Sequence, residues 1–190
     1  MSKFFDRFSV FDLVILALMA ALGVAIKPFV NMLAHLLTGP LLIPAGTVAG
    51  GIYMLFPVLG AAIVGKRGAA TLLALVQAIM VLVTGILGTH GLVTLLTYTA
   101  PGLAIDFLWL LMRHRGECSL CCFFGGLIAN IVGTFGSNLV FFRLSAIPLL
   151  VMLITAALFG GLGGFLAWNI RNVLVKYKLT GRGSAGSTGI

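Results

Sequence analysis

Charged side chains are scarce in this sequence. Asp, Glu, Lys and Arg together make up 8% of its 190 residues, and only four of them are acidic. A soluble domain usually carries about 25% charged residues, and so few cannot cover the surface of a globule. Hydrophobic residues account for 61%, and the mean hydropathy is +1.19. The composition excludes a soluble globular enzyme and indicates a membrane protein with several spans.

Motifs for catalysis are missing as well. The sequence contains no G-x-S-x-G, no H-E-x-x-H and no P-loop, and no apolar run carries a pair of acidic residues. We therefore predict that the protein is not an enzyme, has no ATPase of its own, and needs neither a cofactor nor a metal ion.

Cysteine is also rare, and Cys118, Cys121 and Cys122 lie close together. An odd, clustered set is a poor disulfide framework, and one pair at a helix start lacks the second pair of ligands that structural zinc requires. We expect reduced thiols packed in a membrane helix, with a metal site that includes His114 as the alternative.

Six apolar stretches approach the roughly 20 residues that a helix needs to cross a hydrocarbon core of about 30 Å. They predict an all-α integral membrane protein, a single six-helix bundle within residues 1–177. The spans are 10–26, 41–64, 69–87, 92–112, 118–142 and 147–170. Residues 29–40 are too short to cross and predict a surface loop or a short interfacial helix. The polar segment 178–190 is expected to be a disordered tail.

Lysine and arginine predict the orientation, since cytoplasmic loops carry the excess of these residues. Ten of the twelve fall on one side of the six spans, and only Lys27 and Arg143 fall on the other. We therefore expect a multi-pass protein of the bacterial inner membrane with both termini in the cytoplasm. The net charge of +8 then reflects topology rather than nucleic-acid binding. The first run lacks a signal-peptidase site and is predicted to be retained.

Polar residues from several predicted elements meet near the outer face. Such a set is typical of a pocket that opens to the outside. The candidate substrate-binding residues are Lys27, Asn31, His35, Gln77, His90, Tyr98, Asn138 and Arg143. Because this side has two cations and no acid, the ligand is expected to be neutral or anionic.

Small residues recur at helical spacing. Gly46 with Gly50, and Gly160 with Gly164, predict close helix packing inside the bundle. Ala17, Ala21 and Ala25 form a smooth stripe on the first span, which fits either packing in the bundle or docking of a partner helix.

Asp106 is the one carboxylate expected inside the membrane boundary. Such residues are costly and often functional. Its position near the cytoplasmic end favours snorkelling or pairing with Arg113 or Arg115.

The alanine stripe, six short spans with both termini inside, and a polar outer loop resemble the S component of an energy-coupling factor (ECF) transporter. Segments 64–70 and 84–91, on either side of the third span, are similar to the YkoE-like branch associated with thiamine or its hydroxymethylpyrimidine precursor. The third span departs from that branch, because 71–84 holds Gln77 but no acid. A thiazolium cation would lack a counter-charge, which favours neutral hydroxymethylpyrimidine or a solute with a carboxylate or phosphate.

The resemblance implies a subunit that binds a vitamin or vitamin precursor at the outer face. It also implies partners, namely a membrane coupling subunit (the T component) and two cytoplasmic ATPases, with Ala17, Ala21 and Ala25 as the docking stripe. Two alternatives remain open: a stand-alone secondary transporter or channel for a small solute, and a membrane scaffold without transport activity.

Overall fold

The structure is a computed structural model that describes residues 8–38, 45–85, 92–113 and 116–177. Within these ranges the chain forms helices and no strand, as the sequence predicts for an all-α bundle of six helices, with one shorter helix in addition. The helices are α1 (Val10–Ala25), α2 (Lys27–Thr38), α3 (Ala45–Val64), α4 (Ala69–Thr84), α5 (Leu92–Leu111), α6 (Ser119–Ser137), a π-helical turn (Asn138–Phe142) and α7 (Ala146–Lys176). The expected tail at 178–190 lies outside the described residues.

The helices are suited to a bilayer. Five stretches are long and apolar enough to cross a membrane, and α4 is a shorter apolar helix. Large apolar side chains such as Val83, Leu111 and Ile147 stand more than 70% exposed on the outer faces of the bundle. In water these surfaces would be costly, but lipid tails solvate them, so the protein is a multi-pass membrane protein. The five stretches are Val10–Leu36, Gly46–Val64, Val93–Leu111, Ser119–Val140 and Ala146–Lys176.

Local chemistry decides where the first helices begin and end. Ser9 and Asp12 form a capping box, in which each side chain accepts a hydrogen bond from the other residue's backbone N–H, at 3.2 and 2.8 Å. Pro28 has no N–H, and its ring crowds the carbonyl of Val24, so the chain turns at Ile26 between α1 and α2. Segment 29–40, expected as a loop or an interfacial helix, is thus helical up to Thr38.

Helix α3 is the centre of the bundle and packs against α1, α2, α4, α6 and α7. Glycines bring α3, α6 and α7 together: a Cβ on Gly126 would overlap the carbonyl oxygen of Gly160, and a Cβ on Gly163 would overlap that of Gly51. Asn130 joins the same helices, because its Nδ2 donates to the carbonyls of Thr47 at 3.1 Å and Ala156 at 2.8 Å. The helix backbones are therefore in direct contact.

The predicted glycine pairs are mostly packing residues. Gly50 lies against Asn130, Gly160 against Gly126, and Gly164 against the backbone of Cys122. The expectation was wrong for Gly46, which has open space where its Cβ would stand. Gly46 lies in the first turn of α3, where it is exposed.

One end of the bundle, which we call the basic end, carries Lys66, Arg67, Arg113, Arg171 and Lys176. Two of these cations have partners within the bundle. Lys66 forms an ion pair with Asp12, and Arg171 donates through Nε to the carbonyl oxygen of Ala62 at 3.2 Å. These contacts tie the start of α1 and the end of α7 to the end of α3.

Asp106 caps α4 from a neighbouring helix. Its carboxylate accepts from the backbone N–H of Gly68 at 3.2 Å, the backbone N–H of Thr71 at 2.8 Å and the Thr71 hydroxyl at 2.6 Å. Gly68 stands at the N-cap and has no side chain to supply this acceptor. The expected pairing with Arg113 was therefore wrong, and Arg115 lies outside the described residues.

The cysteines also differ from the sequence-based expectation. Cys118 and Cys121 form a disulfide, whereas Cys122 is free and buried. Cys118 is the N-cap of α6, and its sulfur lies over the first turn, 3.0 Å from the backbone nitrogen of Cys121. That placement brings the two sulfurs together, so the expectation of three reduced thiols was wrong for Cys118 and Cys121.

The close helix contacts predict a difference between two glycine-to-alanine substitutions. Gly126→Ala should lower the free energy of unfolding by roughly 1–3 kcal/mol, because its Cβ must push α7 away. Gly46→Ala should change it by less than about 1 kcal/mol, since nothing stands in its way. Thermal melting in mild detergent, followed by size exclusion, measures both. Equal melting temperatures would contradict the contact between α6 and α7.

Candidate functional site

Lys27 lies on the buried face of the first two helices. Buried residues follow one another at steps of four and three along α1 and α2, so they form one inward-facing stripe. Lys27 belongs to this stripe and is only 4% exposed. A lysine is almost never fully buried unless its charge is compensated, so its burial marks the site. The other members of this inward stripe are Leu16, Ala20, Gly23, Val30 and Ala34.

Two tyrosines surround the Lys27 ammonium group. Its Nζ lies 4.0 Å from the ring centroid of Tyr98 and 5.7 Å from that of Tyr53. The Tyr53 hydroxyl also donates to the backbone carbonyl of Lys27 at 3.2 Å. Cation–π contacts of this kind contribute about 0.5–2 kcal/mol each, more when they are shielded from water. We call Lys27, Tyr53 and Tyr98 the aromatic–lysine cluster.

The cluster joins three helices. Tyr98 follows Thr94 by one turn on α5, and below it Gly102 lets α5 lie directly on Ala70 and Ala74 of α4. Tyr53 and Ala49 on α3 pack against Val30 and Ala34 on α2. The helices that carry Tyr53 and Tyr98 are thus each fixed by close packing against a neighbouring helix.

Gln77 on α4 is a second unusual polar residue. It is 4% exposed, and within the described ranges its Nε2 has no hydrogen-bond partner. The amide fills the space where a Cβ of Gly23 would stand and lies beside Phe56. An unpartnered buried polar group costs about 1–3 kcal/mol, so the fold holds Gln77 there at the expense of stability.

Gln77 and the cluster are neighbours in the bundle. Gly23, which Gln77 touches, precedes Lys27 by one helical turn, and Phe56 follows Tyr53 by about one turn. One turn rises about 5.4 Å. The Gln77 amide therefore lies against α1 one turn closer to the basic end than the backbone of Lys27. We call the half of the bundle that contains Tyr53 and Tyr98 the tyrosine end.

The structure brings together some of the predicted site residues and separates others. Lys27 contacts Tyr98 directly, and Gln77 lies beside Gly23, one helical turn before Lys27. Asn31 is half-buried, and His35 is exposed. Asn138 is buried, but its Oδ1 already accepts from the backbone N–H of Leu144 at 3.0 Å. Arg143 is exposed and ends the π-helical turn with a φ of 46°. His90 lies outside the described residues.

Sequence reasoning missed Tyr53. Its helix is apolar on all sides, so hydropathy gives no sign of which face turns toward Lys27. The available signal was the inward stripe of α1 and α2, which contains Lys27 and requires a compensating neighbour.

The two ends of the bundle differ in charge balance. Of the four acidic residues, Asp12, Asp106 and Glu117 belong to the basic end, and Asp6 lies outside the described residues. In the described part of the tyrosine end, Lys27 faces aromatic rings and no carboxylate. The site therefore offers an ammonium group and the N–H groups of an amide, and both can donate hydrogen bonds to acceptors on a ligand.

The alanine stripe occupies a different face of α1. Ala17 and Ala25 are exposed and Ala21 is half-buried, while the large side chains of Leu18 and Leu22 stand exposed beside them. The stripe is therefore a shallow strip on the outside of the bundle, and Lys27 lies on the inward face of the same pair of helices.

Comparison with known proteins places this architecture among transporters. A family model described as "ABC-type cobalt transport system, permease component" matches residues 11–132. A solved structure described as an S-component of an ECF transporter shares the fold, with a TM-score of 0.77 and 19% sequence identity, covering 91% of this chain and 88% of that chain. No curated protein matches the sequence.

The two buried amides predict opposite effects of similar substitutions. Gln77→Leu should raise the melting temperature of the ligand-free protein, because it removes an unpartnered polar group. Asn130→Leu should lower it, since two interhelical hydrogen bonds are lost. Both are measured by thermal unfolding of purified protein in detergent. A lower melting temperature for Gln77→Leu would mean that its amide stabilises the fold.

Proposed function

The chain belongs to the family of ABC-type cobalt transport permease components, and on this premise we propose that it is the substrate-binding S component of an ECF importer. The family is one of membrane transport, so the protein is a transport component and not an enzyme. The single observation that carries the proposal is the aromatic–lysine cluster, with the unpartnered Gln77 one turn away. A binding protein keeps such groups without full hydrogen-bond partners until its ligand binds.

The ligand in this proposal is an organic solute. A metal cation needs ligands that donate electron pairs, such as carboxylate, imidazole or thiolate. The Lys27 ammonium would repel a metal ion, and the Gln77 Nε2 offers N–H groups rather than lone pairs. A vitamin or vitamin precursor fits this chemistry better than the cobalt ion in the family's description. The resemblance to the YkoE-like branch suggests neutral hydroxymethylpyrimidine as one candidate, and a vitamin-like solute with a carboxylate or phosphate is the other.

The partners in this proposal are a membrane coupling subunit and two cytoplasmic ATPases. Ala17 and Ala25 stand exposed on a helix that otherwise presents large side chains to lipid. Small residues let a second helix approach closely and separate again, because they interlock little. The basic end would face the cytoplasm of a bacterium, in line with the positive-inside rule, and the tyrosine end would receive ligand from outside.

Ligand capture can be tested directly on purified protein. The protein is isolated in mild detergent and denatured, and the released small molecules are identified by mass spectrometry and compared with the amount of protein. A vitamin or precursor at a ratio near one to one is expected. An empty protein that also shows no thermal shift with a vitamin panel would contradict the proposal and favour a scaffold.

Docking through the alanine stripe is tested by adding bulk. Ala17→Leu combined with Ala25→Leu should weaken co-purification with a coupling subunit and its ATPases about tenfold or more, while ligand retention is unchanged. Leu158→Phe, which adds bulk to an exposed position on α7, serves as the control. Full ion-driven uptake into liposomes by the isolated protein would instead identify a stand-alone secondary transporter.

A further inference from the structure

We propose that the ligand carries an anionic oxygen group, a carboxylate or a phosphate, that binds Lys27, together with a second hydrogen-bond acceptor that binds Gln77. This inference rests on the capture function proposed above and narrows the class of ligand. It follows from the charge, the unpaired donors and the spacing of the site.

The first step concerns charge. Lys27 is enclosed by protein, and the described tyrosine end offers its ammonium the faces of Tyr98 and Tyr53. An ammonium has three N–H donors, and an aromatic face compensates charge without accepting full hydrogen bonds. A carboxylate or phosphate does both, through short charge-assisted hydrogen bonds. The group that gains most from replacing a ring face beside Lys27 is therefore an anion.

The second step concerns Gln77, which is an independent observation on another helix. Its Nε2 is buried and unpartnered in the described structure, and it lies against Gly23, one turn from Lys27. A hydrogen-bond acceptor of the ligand, placed beside Gly23, would accept a hydrogen bond from the Gln77 amide. A thiazolium or other organic cation would instead be placed beside Lys27, where like charges repel.

The third step concerns size and shape. Gly23, against which the Gln77 amide lies, and Lys27 are one helical turn apart along the chain, a rise of about 5.4 Å, which is comparable to one substituted aromatic ring. The Lys27 ammonium lies over the rings of Tyr53 and Tyr98, and a flat ligand whose anion draws it away could stack on the ring faces that it leaves. The site is thus suited to a single planar ring with an anionic group at one end and an acceptor at the other.

The experiment compares matched probes that differ in charge. Isothermal titration of detergent-purified protein uses nicotinate against nicotinamide, and hydroxymethylpyrimidine against its phosphate ester, with thiamine as the cationic probe. The charge of any co-purified ligand is read by mass spectrometry in both ionisation modes. The variants are Lys27→Gln, Lys27→Arg and Gln77→Leu, and Lys176→Gln on the exposed end of α7 is the matched charge control.

In wild type we expect the anionic member of the pair that binds to have at least a tenfold lower Kd, roughly the effect of one charged hydrogen bond. Lys27→Gln should abolish the preference, Lys27→Arg should keep it, and Gln77→Leu should weaken both members alike. Lys176→Gln should leave it unchanged. Should Lys27→Gln fail to fold, the wild-type preference and the charge of the co-purified ligand decide.

The outcomes separate this inference from the capture function. A neutral or cationic ligand, retained or bound more tightly than its anionic counterpart, overturns the anionic class while capture stands. An anion preference that survives in Lys27→Gln overturns the role of Lys27. A protein that neither retains nor binds any small molecule overturns the capture function, and the inference fails with it.

Discussion

Direct contact between helix backbones is the constraint on which the rest of the structure depends. Lipid gives apolar helices no hydrophobic reason to associate, so their packing must come from close approach and hydrogen bonds. Gly51, Gly126 and Gly163 provide that approach around α3, and Asn130 closes it with two interhelical hydrogen bonds. Because α3 is fixed in this way, Tyr53 is held at a defined position beside α2.

The two ends of the bundle treat polar groups differently. At the basic end Lys66 has Asp12, and the free N–H groups at the start of α4 have Asp106. In the described part of the tyrosine end, Lys27 has ring faces, and the Nε2 of Gln77 has no partner. A sequence shaped only for stability would not keep this second arrangement, because apolar residues of similar size would cost less. Ligand binding, as proposed above, would account for this imbalance.

Hydropathy predicted the helices well, since long apolar runs have few alternatives in a bilayer. The end of the first run at Lys27–Pro28 was also readable, because proline interrupts the helix, although α2 continues in nearly the same register. The contact partners of polar residues were harder to predict from the sequence. Asp106 pairs with an N-terminus that lies far away in sequence, and Tyr53 reaches Lys27 through tertiary packing. Neither contact produces a periodic pattern in the sequence from which it could be predicted.

The first two helices carry two different surfaces. The inward stripe brings Gly23 and Lys27 to the site, and the outward stripe presents Ala17 and Ala25. Under the proposed function, ligand binding and partner docking would therefore act on the same continuous segment. Among the helix pairs with substantial contact, α1 packs against α2, α3 and α4, whereas α2 packs only against α1 and α3. A ligand that binds Lys27 would therefore act on α2 first, and through α2 on the helix whose other face carries the exposed Ala17 and Ala25.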